Sequence, residues 1–276
     1  MASFEFEYAS DFENWFLRTV LRSIVIRVNI PLKSKFVRSI PNLLTFASVG
    51  CGFTTLAQLL EQNYTAAMIW MCLAVLFDGL DGKAANLLGV KTESGPILDS
   101  LSDVISFAFL PGFSLYLFFS TAPETQVLTS AAAWVVGIGY TLGGLMRLVR
   151  FTVSQSDRDR GEGFVGLPSP PPAGLIIAFV SLAGQFPEAL YHLTGLLFFC
   201  LIIGVNVYLM TFSNIVYWRW GALWIALQTG SSLVFAAIAY YYLGTIGAFL
   251  AIFYIAFCGI YIYSHIALAI LQKFRQ

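Results

Sequence analysis

The sequence has 276 residues, 58% of them hydrophobic and only 11% charged, with a mean hydropathy of +0.77 and a formal net charge of zero. A soluble domain carries about a quarter charged residues, so this chain lacks the polar surface to face water on all sides. A soluble bundle is thereby set aside in favour of an all-α, polytopic membrane protein, and no nucleic-acid partner is expected.

Residues 1–38 precede the first apolar run. Phe12, Phe16, Val20, Leu21 and Ile24 recur at helical spacing opposite Asp11, Arg18, Thr19, Arg22 and Ser23. That pattern predicts an amphipathic helix lying in the membrane interface, followed by a basic approach with Lys33, Lys35 and Arg38. The acidic start, MASFEFEYASDFENW, lacks the basic n-region of a signal peptide, so no cleavage is expected. Residues 39–276 then read as one transmembrane domain.

Runs long enough to cross a hydrocarbon core of roughly 30 Å fall at about 41–61, 65–88, 95–120, 127–151, 170–187, 191–213, 221–243 and 246–271, which makes about eight spans. Pro41 is expected in the first turn of the first helix, where its missing N–H costs nothing. YYYLGTIG is the sole break between the last two spans. With an even number of spans, all 15 Lys and Arg residues fall on the side of the two termini, and the opposite connections carry only Glu61, Glu124 and Glu188. The positive-inside rule therefore predicts cytosolic termini. Cys51, Cys72, Cys200 and Cys258 lie far apart within apolar runs, and His192 and His265 have no nucleophilic partner at a catalytic spacing. All six are read as packing residues.

The second and third runs meet in DGLDGKAANLLGVKTESGPILDSLSD, residues 78–103, on the predicted cytosolic side. Asp78 and Asp81 are three residues apart, and Asp99 and Asp103 four, so each pair shares one helix face. A turn over about 88–94 makes the two helices antiparallel neighbours, with Asp81 roughly 10 Å along its helix from that turn. A carboxylate at a span centre costs about 2.5–3.5 kcal/mol even on the lenient insertion scale. Four together require neutralisation, by protons or by divalent cations. Oxygen-only ligands on short arms suit Mg²⁺, Mn²⁺ or Ca²⁺ rather than zinc, and two ions could share them with room for a phosphate-bearing substrate. Gly79, Gly82 and Gly95 interrupt the same faces. They read either as a slot for a ligand beside the carboxylates or as close helix packing, with the slot favoured.

Arg147 and Arg150, at the cytosolic end of the fourth run, are candidates for binding the acceptor or a phosphate; snorkelling is the alternative. GLPSPPPAG, residues 166–174, is too rich in proline for a helix interior and predicts an extended entry to the fifth helix. SQSDRDRGEG, residues 154–163, reads as a solvated loop. An ion or proton transporter would spread its acids along a path across the bilayer, whereas these cluster near one face.

The spacing Asp78, Asp81-Gly82, Ala85, Gly95, Asp99, Asp103 resembles the pattern D-x2-D-G-x2-A-R-x8-G-x3-D-x3-D of the CDP-alcohol phosphotransferases. IPNLLTFASVGCGF, LDSLSDVISF, GLMRLVRF, FVGLPSPPPAG and YLMTFSNIVY look like the phosphatidylserine synthase branch of that family. The resemblance implies a CDP-diacylglycerol–serine O-phosphatidyltransferase reaction, giving phosphatidylserine and CMP. It implies metal ligation by Asp78, Asp81, Asp99 and Asp103, with Mg²⁺ or Mn²⁺ as two ions, and Asp103 as the general base. Asn42, Thr45, Gly79, Gly82, Ala85, Asn86 and Gly95 would line the nucleotide. Membrane lipid is an implied partner, as is a second copy of the chain, since the family commonly dimerises. One position departs: the family's arginine is Asn86 here, which keeps hydrogen bonding but no charge and no bidentate fork. Another acceptor, such as glycerol 3-phosphate or an inositol compound, or a catalytically impaired lipid-binding relative, is the alternative.

Overall fold

The computed structural model describes residues 35–90, 94–121, 130–155, 164–165, 167–185, 204–206, 216–217 and 222–275. The predicted interfacial helix, most of the sixth predicted span, His192, Cys200 and the loop from residue 156 lie outside these residues.

Among the described residues the chain is helical apart from one minimal strand pair. Helix α1 is Lys35–Leu60, α2 Tyr64–Leu88 and α3 Gly95–Asp103. A π-helical segment, Val104–Phe109, joins α3 to α4, Leu110–Thr121. Then come α5 (Ser130–Gln155), β1 (Phe164–Val165), α6 (Pro170–Gln185), β2 (Val216–Tyr217), α7 (Ala222–Leu243) and α8 (Ile246–Arg275). Among the described residues, four stretches are long and apolar enough to cross a membrane: Val37–Leu60, Tyr64–Leu88, Gly95–Ser120 and Ile246–Ala267. The burial pattern suits lipid. Ser48, Thr55, Ser106, Ser114, Ser181, Gln228 and His265 are buried, whereas Trp134, Val135, Ile138, Leu142, Met146 and Val149 form an exposed face of α5. Several of these inward polar groups bond to backbone carbonyls: Ser48 Oγ donates to that of Ala74 (2.9 Å) and Gln228 Nε2 to that of Phe257 (2.6 Å). His265 is satisfied as a packing residue, with Nδ1 2.8 Å from the Tyr261 carbonyl oxygen.

Helix α6 is buried on nearly every side, from Pro172 through Ala178. It contributes Ala173, Ile177 and Ala178 to one apolar cluster with Met68, Met71, Phe107, Tyr254 and Cys258, and Ile176 and Val180 to a second with Leu115, Phe119 and Tyr140. A helix that is apolar all round belongs at the centre of a bundle, and α6 holds that place. The break expected in YYYLGTIG is present: Gly244 takes φ +69, its N–H bonds the Tyr240 carbonyl, and Thr245 Oγ1 accepts from the Ala248 N–H to start α8.

One expectation needs correction. Helix α1 begins at Lys35, so Pro41 lies inside it rather than in its first turn. The fully buried Val37 anchors the additional turn, and Pro41 serves the helix through its carbonyl, which lies 3.1 Å from the Thr45 hydroxyl. The third predicted run, about 95–120, matches the stretch Gly95–Ser120 and holds a π-helical segment within it. Pro111 has no N–H to give the Phe107 carbonyl four residues back. The ladder widens there: the Leu110 N–H reaches the Ile105 carbonyl, a π-type bond, and the Tyr140 hydroxyl donates to the Phe107 carbonyl at 3.4 Å. Such widened turns recur at functional sites, and this one follows Asp103 directly.

Candidate active site

The four aspartates of residues 78–103 sit on the C-terminal part of α2 and on α3. Helix α2 stops in a left-handed Gly89 (φ +65), with the Val90 N–H returning 3.1 Å to the Ala85 carbonyl. This glycine-closed end satisfies the last carbonyls and turns the chain back. Asp78 lies within electrostatic reach of Asp81, Asp99 and Asp103. The two pairs therefore meet, as the spacing predicted. Asp81 is buried and accepts from the Thr45 hydroxyl at 2.6 Å, which brings α1 to the site. Asp99 is exposed.

Helices α5 and α6 close the other side. Arg147 is buried, with Nη1 2.6 Å from Ser169 Oγ and 3.6 Å from Asp103 Oδ2. Ser169 Oγ in turn lies 3.1 Å from Asp103 Oδ2. The Phe151 ring sits under the guanidinium, 5.5 Å from its carbon. Arg150 is only half-buried. The fold carries Arg147 into contact with the carboxylates.

Gly79 and Gly82 do not serve helix packing within the chain: a Cβ added at either would meet nothing within 4 Å. Elsewhere glycines do serve close packing: at Gly112 a Cβ would strike Thr141 and the Gly137 carbonyl, and at Gly174 the Tyr254 ring. Gly79, Gly82 and Asn86 are all exposed and follow one another at three and four residues, so they form one open stripe beside Asp78 and Asp81. Ala85 and Asn42 are half-buried, and Gly95 opens α3.

Among the described residues, no three carboxylate, imidazole or thiol groups form a ready-made metal-ligand set. The residues nonetheless fit a divalent cation. Every candidate donor is a carboxylate oxygen, Asp78 Oδ1 is buried with no hydrogen-bond partner, and open space adjoins the pair on α2. A buried oxygen of this kind calls for a partner, and a hard cation supplies one.

The profile of the CDP-alcohol phosphatidyltransferase family matches residues 38–205, which spans every residue of this cluster. The chain belongs to that family. It is similar to a CDP-diacylglycerol–serine O-phosphatidyltransferase of Mycobacterium leprae, 30% identical over 177 residues, covering 62% of this chain and 56% of the relative. It also resembles an archaetidylserine synthase of Methanothermobacter thermautotrophicus, 36% identical over 152 residues (54% of this chain, 60% of the relative). A third relative, from Helicobacter pylori and again named CDP-diacylglycerol–serine O-phosphatidyltransferase, is 29% identical over 177 residues, covering 64% and 70% of the two chains. The match thus spans little more than half of the mycobacterial relative.

One member of the site carried no role in the sequence: Ser169 was visible only as part of a proline-rich entry. Thr45, expected beside the nucleotide, is tied through its hydroxyl to Asp81.

Proposed function

We propose that this family member transfers the phosphatidyl group of CDP-diacylglycerol to L-serine, releasing CMP. The observation that carries the reading is the convergence of Asp78, Asp81, Asp99 and Asp103 on one open, glycine-lined face beside a buried arginine. Serine as acceptor is supported by the names of the relatives.

In this reading Asp78, Asp81, Asp99 and Asp103 would hold two Mg²⁺ or Mn²⁺ ions, which when bound neutralise the diphosphate and the departing CMP. The open stripe of Gly79, Gly82 and Asn86, with Ala85, Gly95, Asn42 and Thr45 around it, accommodates the cytidine nucleotide. Asp103 accepts the proton of the serine hydroxyl. The serine oxygen then bonds to the phosphatidyl phosphorus as the bond from that phosphorus to the CMP oxygen breaks, and the proton passes from Asp103 to solvent. Positioning and charge neutralisation supply most of the acceleration in such transfers. Arg147 keeps positive charge beside Asp103, and Arg150 is left to the approach of acceptor or phosphate.

The same reading takes residues 39–276 as one transmembrane domain of about eight spans, preceded by an interfacial helix within 1–38. Both termini and the site face the cytosol, and a second copy of the chain is the expected partner in the membrane.

The test is CMP release by the purified protein with CDP-diacylglycerol and a panel of alcohols. L-Serine should support release, with glycerol 3-phosphate and inositol compounds at least about tenfold slower, as expected when a site built for one polar acceptor leaves groups unpaired with another. Chelation of divalent ions should stop release, and added Mg²⁺ or Mn²⁺ should restore it. Faster release with another alcohol would reassign the acceptor, and release that survives chelation would remove the metals.

A further inference from the structure

The three consecutive prolines that open α6 change what Ser169 can do. The Ser169 carbonyl accepts the first helical bond of α6, from the Ala173 N–H at 3.3 Å, so Ser169 occupies the N-cap position. A serine there ordinarily turns its hydroxyl back to accept from the N–H of the second or third helical residue. In α6 those residues are Pro171 and Pro172, which have no N–H. The hydroxyl of Ser169 has no capping duty and is available to the site.

Its hydrogen-bond direction is fixed by chemistry. Arginine has donors and no acceptor, so at 2.6 Å Ser169 Oγ must accept from Arg147 Nη1. The single hydroxyl proton is then committed to Asp103 Oδ2 at 3.1 Å. The entry is also held from behind, where the Tyr254 hydroxyl donates to the Pro170 carbonyl at 3.1 Å and the Tyr254 ring lies against Gly174. β1 pairs with β2 just upstream, Phe164 opposite Tyr217 and Val165 opposite Val216.

We propose that Ser169 is a positioning residue for Asp103, released for that task by Pro171 and Pro172. Its hydroxyl bridges Arg147 to one carboxylate oxygen and fixes the side-chain torsion of Asp103, so that the remaining oxygen addresses the incoming acceptor hydroxyl. This inference rests on the proposed transfer reaction for its catalytic consequence, and on geometry alone for the bridge.

The experiment compares Ser169→Ala, Ser169→Thr, Pro172→Ala and the double variant Ser169→Ala/Pro172→Ala in steady-state CMP release. Loss of one hydrogen bond to a charged group should lower kcat for Ser169→Ala by about 10- to 100-fold, with the KM for CDP-diacylglycerol within about twofold of wild type. Ser169→Thr, which keeps the hydroxyl, should recover most of the rate. Pro172→Ala restores a competing N–H and should lower kcat in the wild-type background, yet change nothing further when Ser169 is alanine. A Ser169→Ala kcat within about threefold of wild type, a threonine variant as slow as the alanine one, or additive effects of Pro172→Ala and Ser169→Ala would overturn the proposal. Should wild type release no CMP with any alcohol, the transfer reading fails by itself. The bridge is then read from thermal unfolding in detergent of the same four variants. Non-additive shifts with threonine rescue support it, and additive shifts overturn it.

Discussion

Asp103→Asn should abolish measurable transfer while leaving the protein folded. A carboxamide cannot take the proton of the acceptor hydroxyl, and loss of a general base costs about 10²–10⁴-fold in rate. Its carbonyl oxygen can still accept from Ser169, and Arg147 remains within electrostatic reach of Asp78 and Asp99. The scaffold interactions therefore survive the substitution. The check is CMP release beside thermal unfolding in the same detergent. Activity within tenfold of wild type would mean that Asp103 does not take the proton.

Filling the open stripe should separate activity from stability in the same way. Nothing lies within 4 Å of a Cβ placed at Gly79 or Gly82, so Gly79→Leu and Gly82→Leu should fold normally. Helix propensity even favours them over glycine, by somewhat less than about 1 kcal/mol. A leucine there would occupy the space assigned to the nucleotide, so the KM for CDP-diacylglycerol should rise at least tenfold or transfer should vanish. Gly174→Ala is the contrasting control, because its new methyl would meet the Tyr254 ring in a packed interior. Overpacking of this kind costs about 1–3 kcal/mol, visible as a lowered unfolding temperature. Equal destabilisation at Gly79 and Gly174 would show that the stripe is a packing surface after all.

Much of this arrangement was legible in the sequence because it depends on periodicity. Helix α2 was predicted from residue 65 and begins at Tyr64; α6 was predicted from 170 and begins at Pro170. The two aspartate pairs share their faces because three- and four-residue spacings do so on any helix. Features that depend on contacts between distant segments were not legible. The π segment after Asp103 arises from Pro111 together with a hydroxyl from Tyr140, 33 residues away. Pro111 was a sufficient hint that the third run could not be uniform, but not of where its freed carbonyl would find a donor. Thr45 and Asp81 are 36 residues apart, and Ser169 and Asp103 are 66. Spacing rules cannot reach across such separations. The prolines at 170–172, read in the sequence as part of an extended entry, instead form the first turn of α6; that they also release a serine hydroxyl became apparent only once Asp103 and Arg147 were seen beside it.

The most direct measurement supplies CDP-diacylglycerol and isotopically labelled L-serine to the purified protein in lipid vesicles and quantifies both products. Phosphatidylserine carrying the label, in equal amount to CMP and absent when Asp103 is asparagine, is the predicted result. CMP formed without labelled lipid, or labelled lipid formed equally by the Asp103→Asn protein, would contradict the account.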